Sequence, residues 1–165
     1  MRRLSTLFRL AVLPAVLSLA VAAPAAVAAP AAAVAADAPT SDVVVAGSGT
    51  LAAKGAGYVR LAGSYVLNGS MDGGWLKVTG VTRWTVVRVS GWESKTRLAD
   101  GSLLFRGVHG SFHIAGRSIA TAISSPLVRF AATGHGRAHL VGTGIYFVNG
   151  HGPFRWANGG VNSAF

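Results

Sequence analysis

Short alternations of apolar and polar residues, separated by glycine, run through the chain from about Ala46 to Gly152. The segments Tyr58–Leu61 and Trp75–Val78 show this period of two, and Trp84–Val89 adds a β-branched run. Because successive side chains of a strand point to opposite faces, this pattern is typical of half-buried β-strands. No stripe with the 3.6-residue period of a helix interrupts it. The pattern therefore predicts an all-β fold.

Glycine-containing pairs lie between the alternating runs and indicate tight turns. They are Asn68-Gly69, Asp72-Gly73, Asp100-Gly101, Gly116-Arg117, Gly134-His135, Gly142-Thr143 and Asn149-Gly150. Two-residue turns join antiparallel neighbours. We therefore expect eight to eleven short strands in an antiparallel meander, closed as a small sandwich, roll or barrel. The repeated Gly-x-Gly pattern also fits a β-solenoid, which is the alternative fold.

The first 36 residues have the order of a secretory signal peptide. Arg2, Arg3 and Arg9 precede an apolar run over residues 10–23, and small residues lead to Ala36. A positive start, a short apolar core and a small-residue cleavage site are what export requires. We expect export to the cell envelope or beyond it, with no transmembrane segment left after cleavage. The predicted organisation is a signal peptide over 1–36, a linker over 37–45, one β-domain over 46–152 and a loosely ordered tail over 153–165.

The chain after Ala36 is basic and contains no cysteine. Twelve of the 15 Lys and Arg residues lie there with all five acids, which leaves a net charge of +7 with neutral histidines. A positive balance favours association with anionic surfaces or polymers. Without cysteine the domain has no disulfide, so its own core must hold it together.

The sequence offers little for catalysis or metal binding. Asp72 and Asp100 belong to predicted turns, which leaves Glu93 as the one carboxylate of the domain without an evident structural role. Within the pairs His109 and His113, and His135 and His139, the spacing is four, about 13 Å along a straight strand. That separation is too large for one metal ion. We expect no catalytic residue, no metal and no cofactor.

Arginine and tryptophan are the residues that point to binding. Guanidinium groups pair with carboxylates and phosphates, and aromatic rings stack on sugars or bases. A sheet face that combines several Arg residues with Trp75, Trp84 or Trp92 would suit an anionic glycan. The candidate ligand-binding residues are Arg83, Trp84, Arg88, Trp92 and Arg97.

The segment from Asp100 to Ile119 resembles exported bacterial glycine-rich β-proteins of unassigned function. It has their order of Asp-Gly, an aromatic, a basic residue and Gly, then Gly-x-aromatic and Gly-basic. The segment from Gly134 to Tyr146 continues this pattern of glycine, basic and aromatic residues. The resemblance implies a glycine-rich β-fold and carries no catalytic residue.

These observations predict a non-catalytic, secreted or envelope-associated β-protein that binds an anionic cell-wall or surface polymer. Nucleic acid is not an expected partner for an exported chain. Two alternatives remain open. One is a structural envelope protein that self-associates through sheet edges. The other is a hydrolase whose site assembles from Glu93 and distant histidines.

Overall fold

A computed structural model describes residues 49–165, and these contain eight β-strands and no helix. The predicted signal peptide and linker lie outside the described residues. Two strands are long and six are short. The strands are β1 (Gly49–Asp72), β2 (Trp75–Thr79), β3 (Val86–Val89), β4 (Ser94–Arg97), β5 (Leu103–Arg106), β6 (His109–Val148), β7 (His151–Arg155) and β8 (Val161–Ala164).

The strands form one antiparallel sheet in the order β1-β6-β2-β5-β4, and β3, β7 and β8 each pair with β6. The prediction of an all-β antiparallel fold is confirmed, and the sheet does not close into a barrel. The β-solenoid alternative is wrong, because all pairings between the named strands are antiparallel.

The two long strands bend strongly, and each pairs with more than one segment of the other. Ala132 of β6 lies between Leu51 and Leu67, which both belong to β1. A straight strand would separate Leu51 from Leu67 by about 53 Å, whereas two strand spacings amount to about 10 Å. β1 must therefore curl until its two ends flank the same segment of β6.

Glycines facing each other across β1 and β6 allow these bends. Gly55 faces Gly144, Gly57 faces Gly142, and Gly63 faces Gly136. A Cβ on Gly55, Gly57 or Gly63 would collide with a backbone carbonyl oxygen of β6. Three predicted turns, at Gly116-Arg117, Gly134-His135 and Gly142-Thr143, are accordingly wrong, since these residues lie within β6. Asn68-Gly69 likewise lies within β1.

One face of the curled sheet supplies a single hydrophobic core. Alternate residues such as Val59, Leu61, Leu67, Ile114 and Ile123 are fully or almost fully buried, and their strand neighbours face outward. Because these residues contain no helix to cover that face, the sheet covers itself. Its inner surface packs against its own inner surface, as in a sandwich.

The expectation of a loosely ordered tail over 153–165 is wrong. β7 pairs with residues 145–148 of β6, and β8 pairs with residues 137–140. Trp156 and Phe165 are buried, and the ring of Phe165 lies 6.2 Å from that of Tyr65. The tail lacks a long alternation, so its order comes from these distant contacts.

Residues 49–165 hold no helical segment with the length and hydrophobicity that a membrane crossing requires.

Candidate binding surface

An aromatic pair lies on the outer face of the sheet, where β1, β6 and β2 run side by side. Tyr58 of β1 and Trp75 of β2 both oppose Ser124 of β6. Their ring centroids are 6.1 Å apart, with an interplanar angle of 52°. Two strand spacings would place the chains about 10 Å apart, so the rings lean toward each other over the small serine. Both side chains are half-buried, which leaves part of each ring open to a ligand.

Short side chains on β6 form a shallow trough beside this pair. Ala120, Ala122 and Ser124 alternate along the outer face of β6, with larger side chains on both neighbouring strands. Tyr58 and Arg60 of β1 form one wall. Trp75 and Lys77 of β2 form the other, because they pair with Ser124 and Ala122. A trough bounded by rings and cations suits a narrow, linear ligand.

Cations surround the aromatic pair. Arg106 of β5 opposes Trp75 directly, and Arg60 lies two residues from Tyr58 on the same face. Both arginines are exposed. We use the name aromatic face for Tyr58, Arg60, Trp75, Lys77, Arg106, Ala122 and Ser124. Guanidinium groups beside aromatic rings can pair with carboxylates while the rings contact the apolar faces of sugars.

One carboxylate holds Lys77 at the margin of the aromatic face. Lys77 Nζ lies 3.4 Å from Asp100 Oδ2. Hydrogen bonds from Ser102 Oγ and Ser102 N, with a smaller contribution from Lys77, lower the pKa of Asp100 to about 2. Asp100 therefore stays charged at neutral pH and offsets Lys77. Arg60 and Arg106 form no ion pair of 4 Å or less with an acid in the described part of the chain.

The residues proposed from sequence lie at four other places. Arg83 stacks on Trp84 in the turn before β3, with Cζ 4.7 Å from the ring centroid, and Trp84 is 77% exposed. Arg88 is exposed on β3 opposite His113. Trp92 is half-exposed.

The contacts of these residues do not unite them. The ring of Trp92 contacts that of Phe105 edge-on at 6.4 Å, and Arg97 lies on β4 opposite Leu103. Of these five residues, Arg83 and Trp84 are the two whose side chains contact each other. The arrangement of a Trp with several cations on one strand face occurs instead around Trp75.

Three histidines on the outer face are paired with amide or carboxylate oxygens. His109 Nδ1 lies 2.6 Å from Asp72 Oδ1, and His113 Nδ1 lies 2.6 Å from Asn68 Oδ1. His139 Nδ1 lies 2.9 Å from Asn162 Oδ1. Partial burial, and then the charge of Arg88, lower the pKa of His113. Across residues 49–165, no three His, Asp or Glu side chains are grouped so that they could hold a metal ion.

Sequence alternation alone already placed Trp75 and Lys77 on one face. It did not reveal that Tyr58 lies beside Trp75, because that neighbourhood depends on the registers of β1 with β6 and of β6 with β2. Those contacts join residues far apart in the chain. Comparison with known proteins found no matching family model, curated protein or solved structure.

Proposed function

We propose that this is a non-catalytic, secreted or envelope-associated protein that binds an acidic polysaccharide of the cell surface through the aromatic face. The observation that carries the proposal is the Tyr58–Trp75 pair with Arg106 directly opposite Trp75. Rings supply contact area for sugars, and arginines supply bidentate partners for carboxylates. The order of residues 1–36 supports export.

The narrow trough favours a linear chain over a branched or globular ligand. Its floor runs from Ala120 through Ala122 to Ser124, four residue steps or about 13 Å along β6. Arg60 lies on one side of this floor and Arg106 beyond the other. Carboxylates carried on successive sugars of a linear polymer can therefore reach cations on both sides.

Self-association through a sheet edge is the second function that we expected from the sequence. β4, one of several strands at an edge of the sheet, is exposed at all four residues, but it carries Lys95 and Arg97. Lysine and other charges on an edge strand oppose pairing with another copy. The structure therefore supports the binding proposal better. Concentration-dependent oligomers in sedimentation velocity would favour the structural function instead.

Tryptophan fluorescence during titration with polygalacturonate, a linear polyuronate, tests the proposal. We expect saturable binding that weakens with added salt, because screening reduces charge attraction. Dextran, which is neutral, should bind much more weakly. Arg106→Gln should lower the affinity about tenfold, which corresponds to about 1.4 kcal/mol.

Arg83→Gln is the matched control, because it removes the same charge beside a different tryptophan. We expect it to change the affinity less than twofold, as for a cation remote from the ligand. Loss of binding in Arg83→Gln with retention in Arg106→Gln would contradict the assignment to the aromatic face. Absence of binding at low salt would contradict the proposed function itself.

A further inference from the structure

A second cluster of cations lies on another part of the outer surface, formed by residues 49–55 and 65–72 of β1 with their neighbours. Ser70 opposes both Ser111 and Arg129, Arg129 opposes Lys54, and Lys54 opposes Ile145. Ile145 in turn opposes Arg155 of β7. We call this line the basic row; it consists of Ser111, Ser70, Arg129, Lys54, Ile145 and Arg155, all of them exposed.

Lys54 and Arg129 of the basic row are adjacent, and no acid of the described residues lies within 4 Å of Lys54, Arg129 or Arg155. Lys54 and Arg129 are direct cross-strand partners, an arrangement in which like charges repel. The ion pairs of the described residues join Asp100 to Lys77 and Asp72 to His109, so none involves Lys54, Arg129 or Arg155. An anion lying across the strands would remove this repulsion.

The dimensions of the basic row suit an extended chain. From Ser111 to Arg155 the row crosses five strand spacings, about 24 Å. At one end the Ser70 hydroxyl can donate a hydrogen bond to a sugar oxygen or carboxylate, whereas the Ser111 hydroxyl already lies 2.9 Å from Ser90 Oγ. Three cations follow these serines. Ile145 is 42% exposed between Lys54 and Arg155, so it can contact the apolar face of a sugar.

The basic row and the aromatic face point away from each other. Both are on the outer side of the sheet, whose inner side encloses one core. Val59 and Ile123 lie under the aromatic face, while Ala53 and Phe130 lie under the basic row, and all four belong to that core. Since the sheet packs against itself, its outer surfaces face different directions, and one polymer chain in the trough does not cover the basic row.

We propose that the basic row is a second binding site for an acidic polysaccharide, so that one protein molecule bridges two polymer chains. This inference rests on the proposed function of the aromatic face and extends it from binding to cross-linking. A protein with two such sites can hold two polymer chains at once and so cross-link them, because binding of the first chain keeps the second site close to other chains.

The test compares two double variants that remove the same charge. Lys54→Gln with Arg129→Gln disables the basic row, and Lys95→Gln with Arg117→Gln is the control on exposed residues outside both surfaces. Isothermal titration with a short galacturonate oligomer gives the number of sites. Light scattering with long polygalacturonate reports bridging. Sedimentation velocity on the protein alone checks that it is monomeric.

We expect two oligomers per wild-type molecule and strong scattering that declines when polymer is in excess. The basic-row variant should bind one oligomer, keep the tryptophan response of the aromatic face and lose at least nine-tenths of the scattering. The control variant should bridge like the wild type. One oligomer per wild-type molecule, or full scattering by the basic-row variant, would overturn the inference and leave the proposed function standing. No oligomer bound at all would overturn both.

Discussion

At the scale of single residues, close backbone contact decides which positions must be glycine. Gly57 has φ of +135°, and a Cβ there would meet the carbonyl oxygen of Val141. Gly101 has φ of +76° but open space around it, and Gly159 has open space without a positive φ. The three glycines therefore separate the effect of a collision from the effect of the backbone conformation.

Alanine substitutions at these glycines should give three different stabilities. Gly57→Ala should lower the free energy of unfolding by more than about 2 kcal/mol, because the added Cβ would force β1 and β6 apart at Val141. Gly101→Ala should cost about 1 kcal/mol through its positive φ alone. Gly159→Ala should stay within about 0.5 kcal/mol of the wild type. Urea unfolding followed by circular dichroism measures all three stabilities. Equal effects at Gly57 and Gly159 would refute the close contact between Gly57 and the backbone of β6.

Tyr65 is the buried ionisable group of the core. Its hydroxyl lies 2.9 Å from Thr121 Oγ1, and burial raises the pKa of Tyr65 to about 12. The neutral phenol is thus favoured in the folded state relative to the unfolded state, whose tyrosine pKa is about 10. The corresponding stability is complete below pH 10 and is lost as the pH rises toward 12.

Tyr65→Phe should therefore flatten the alkaline part of the stability curve. Between about pH 10 and 12 the wild type should lose about 2–3 kcal/mol more than the variant, since two pKa units correspond to that energy. Chemical unfolding at a series of pH values measures the difference. Tyr58→Phe serves as the control and should keep the loss, because Tyr65 remains. A parallel decline of wild type and Tyr65→Phe would contradict the burial of an un-ionised phenol.

At the scale of elements, the final strand holds one margin of the sheet. β8 pairs with residues 137–140 of β6, and Phe165 N and O exchange backbone hydrogen bonds with Gly136. The Phe165 side chain is 8% exposed, whereas that of Phe154 in β7 is 46% exposed. The chain end is thus part of the core rather than an appendage.

Phe165→Ala should lower the free energy of unfolding by about 3 kcal/mol, as expected when a buried aromatic side chain is removed. Phe154→Ala is the matched control, and its cost should be below about 1 kcal/mol because half of that side chain already faces solvent. Thermal and urea unfolding of both variants give the comparison. Similar stability of the two would show that the C-terminal residues are not packed in the core.

The elements also show what the sequence could and could not predict. Alternation at Trp75–Val78 and the Asp100-Gly101 turn predicted β2 and the β4–β5 hairpin, which the structure contains. The Gly-x-Gly segments at 134–136 and 142–144 have the local sequence of turns, although they are bends inside β6. Turns and bends both need glycine, so the local sequence does not distinguish them. The glycines that face them on β1 do distinguish a bend from a turn, but those glycines lie about 70 to 90 residues away in the chain.

The candidate surface was less predictable than the fold. Strand alternation placed Trp75 with Lys77, yet the neighbourhood of Trp75, Tyr58 and Arg106 depends on three separate strand registers. Arg83 and Trp84, which are adjacent in the chain, do contact each other. Residues close in sequence could be grouped from the sequence, while a surface assembled across strands required the pairing.

At the scale of the whole molecule, the curled sheet has one buried surface and two outward regions that carry unpaired cations. The aromatic face combines Arg60 and Arg106 with rings, and the basic row combines Lys54, Arg129 and Arg155 with hydroxyls. The core between them needs no disulfide, since its side chains come from both long strands and from β2, β5 and the chain end. Six of the twelve Lys and Arg residues in residues 49–165 therefore lie on these two surfaces.

The most direct test of the account is a map of amide chemical shifts in ¹⁵N-labelled protein titrated with the galacturonate oligomer. At the first equivalents we predict shifts that concentrate at residues 58–60, 75–77, 104–106 and 122–124, around the aromatic face. Further oligomer should shift residues 54, 70, 111, 129 and 155 of the basic row. Shifts concentrated instead at 83–97, where sequence alone proposed the site, or spread evenly over all exposed cations, would contradict binding at the aromatic face.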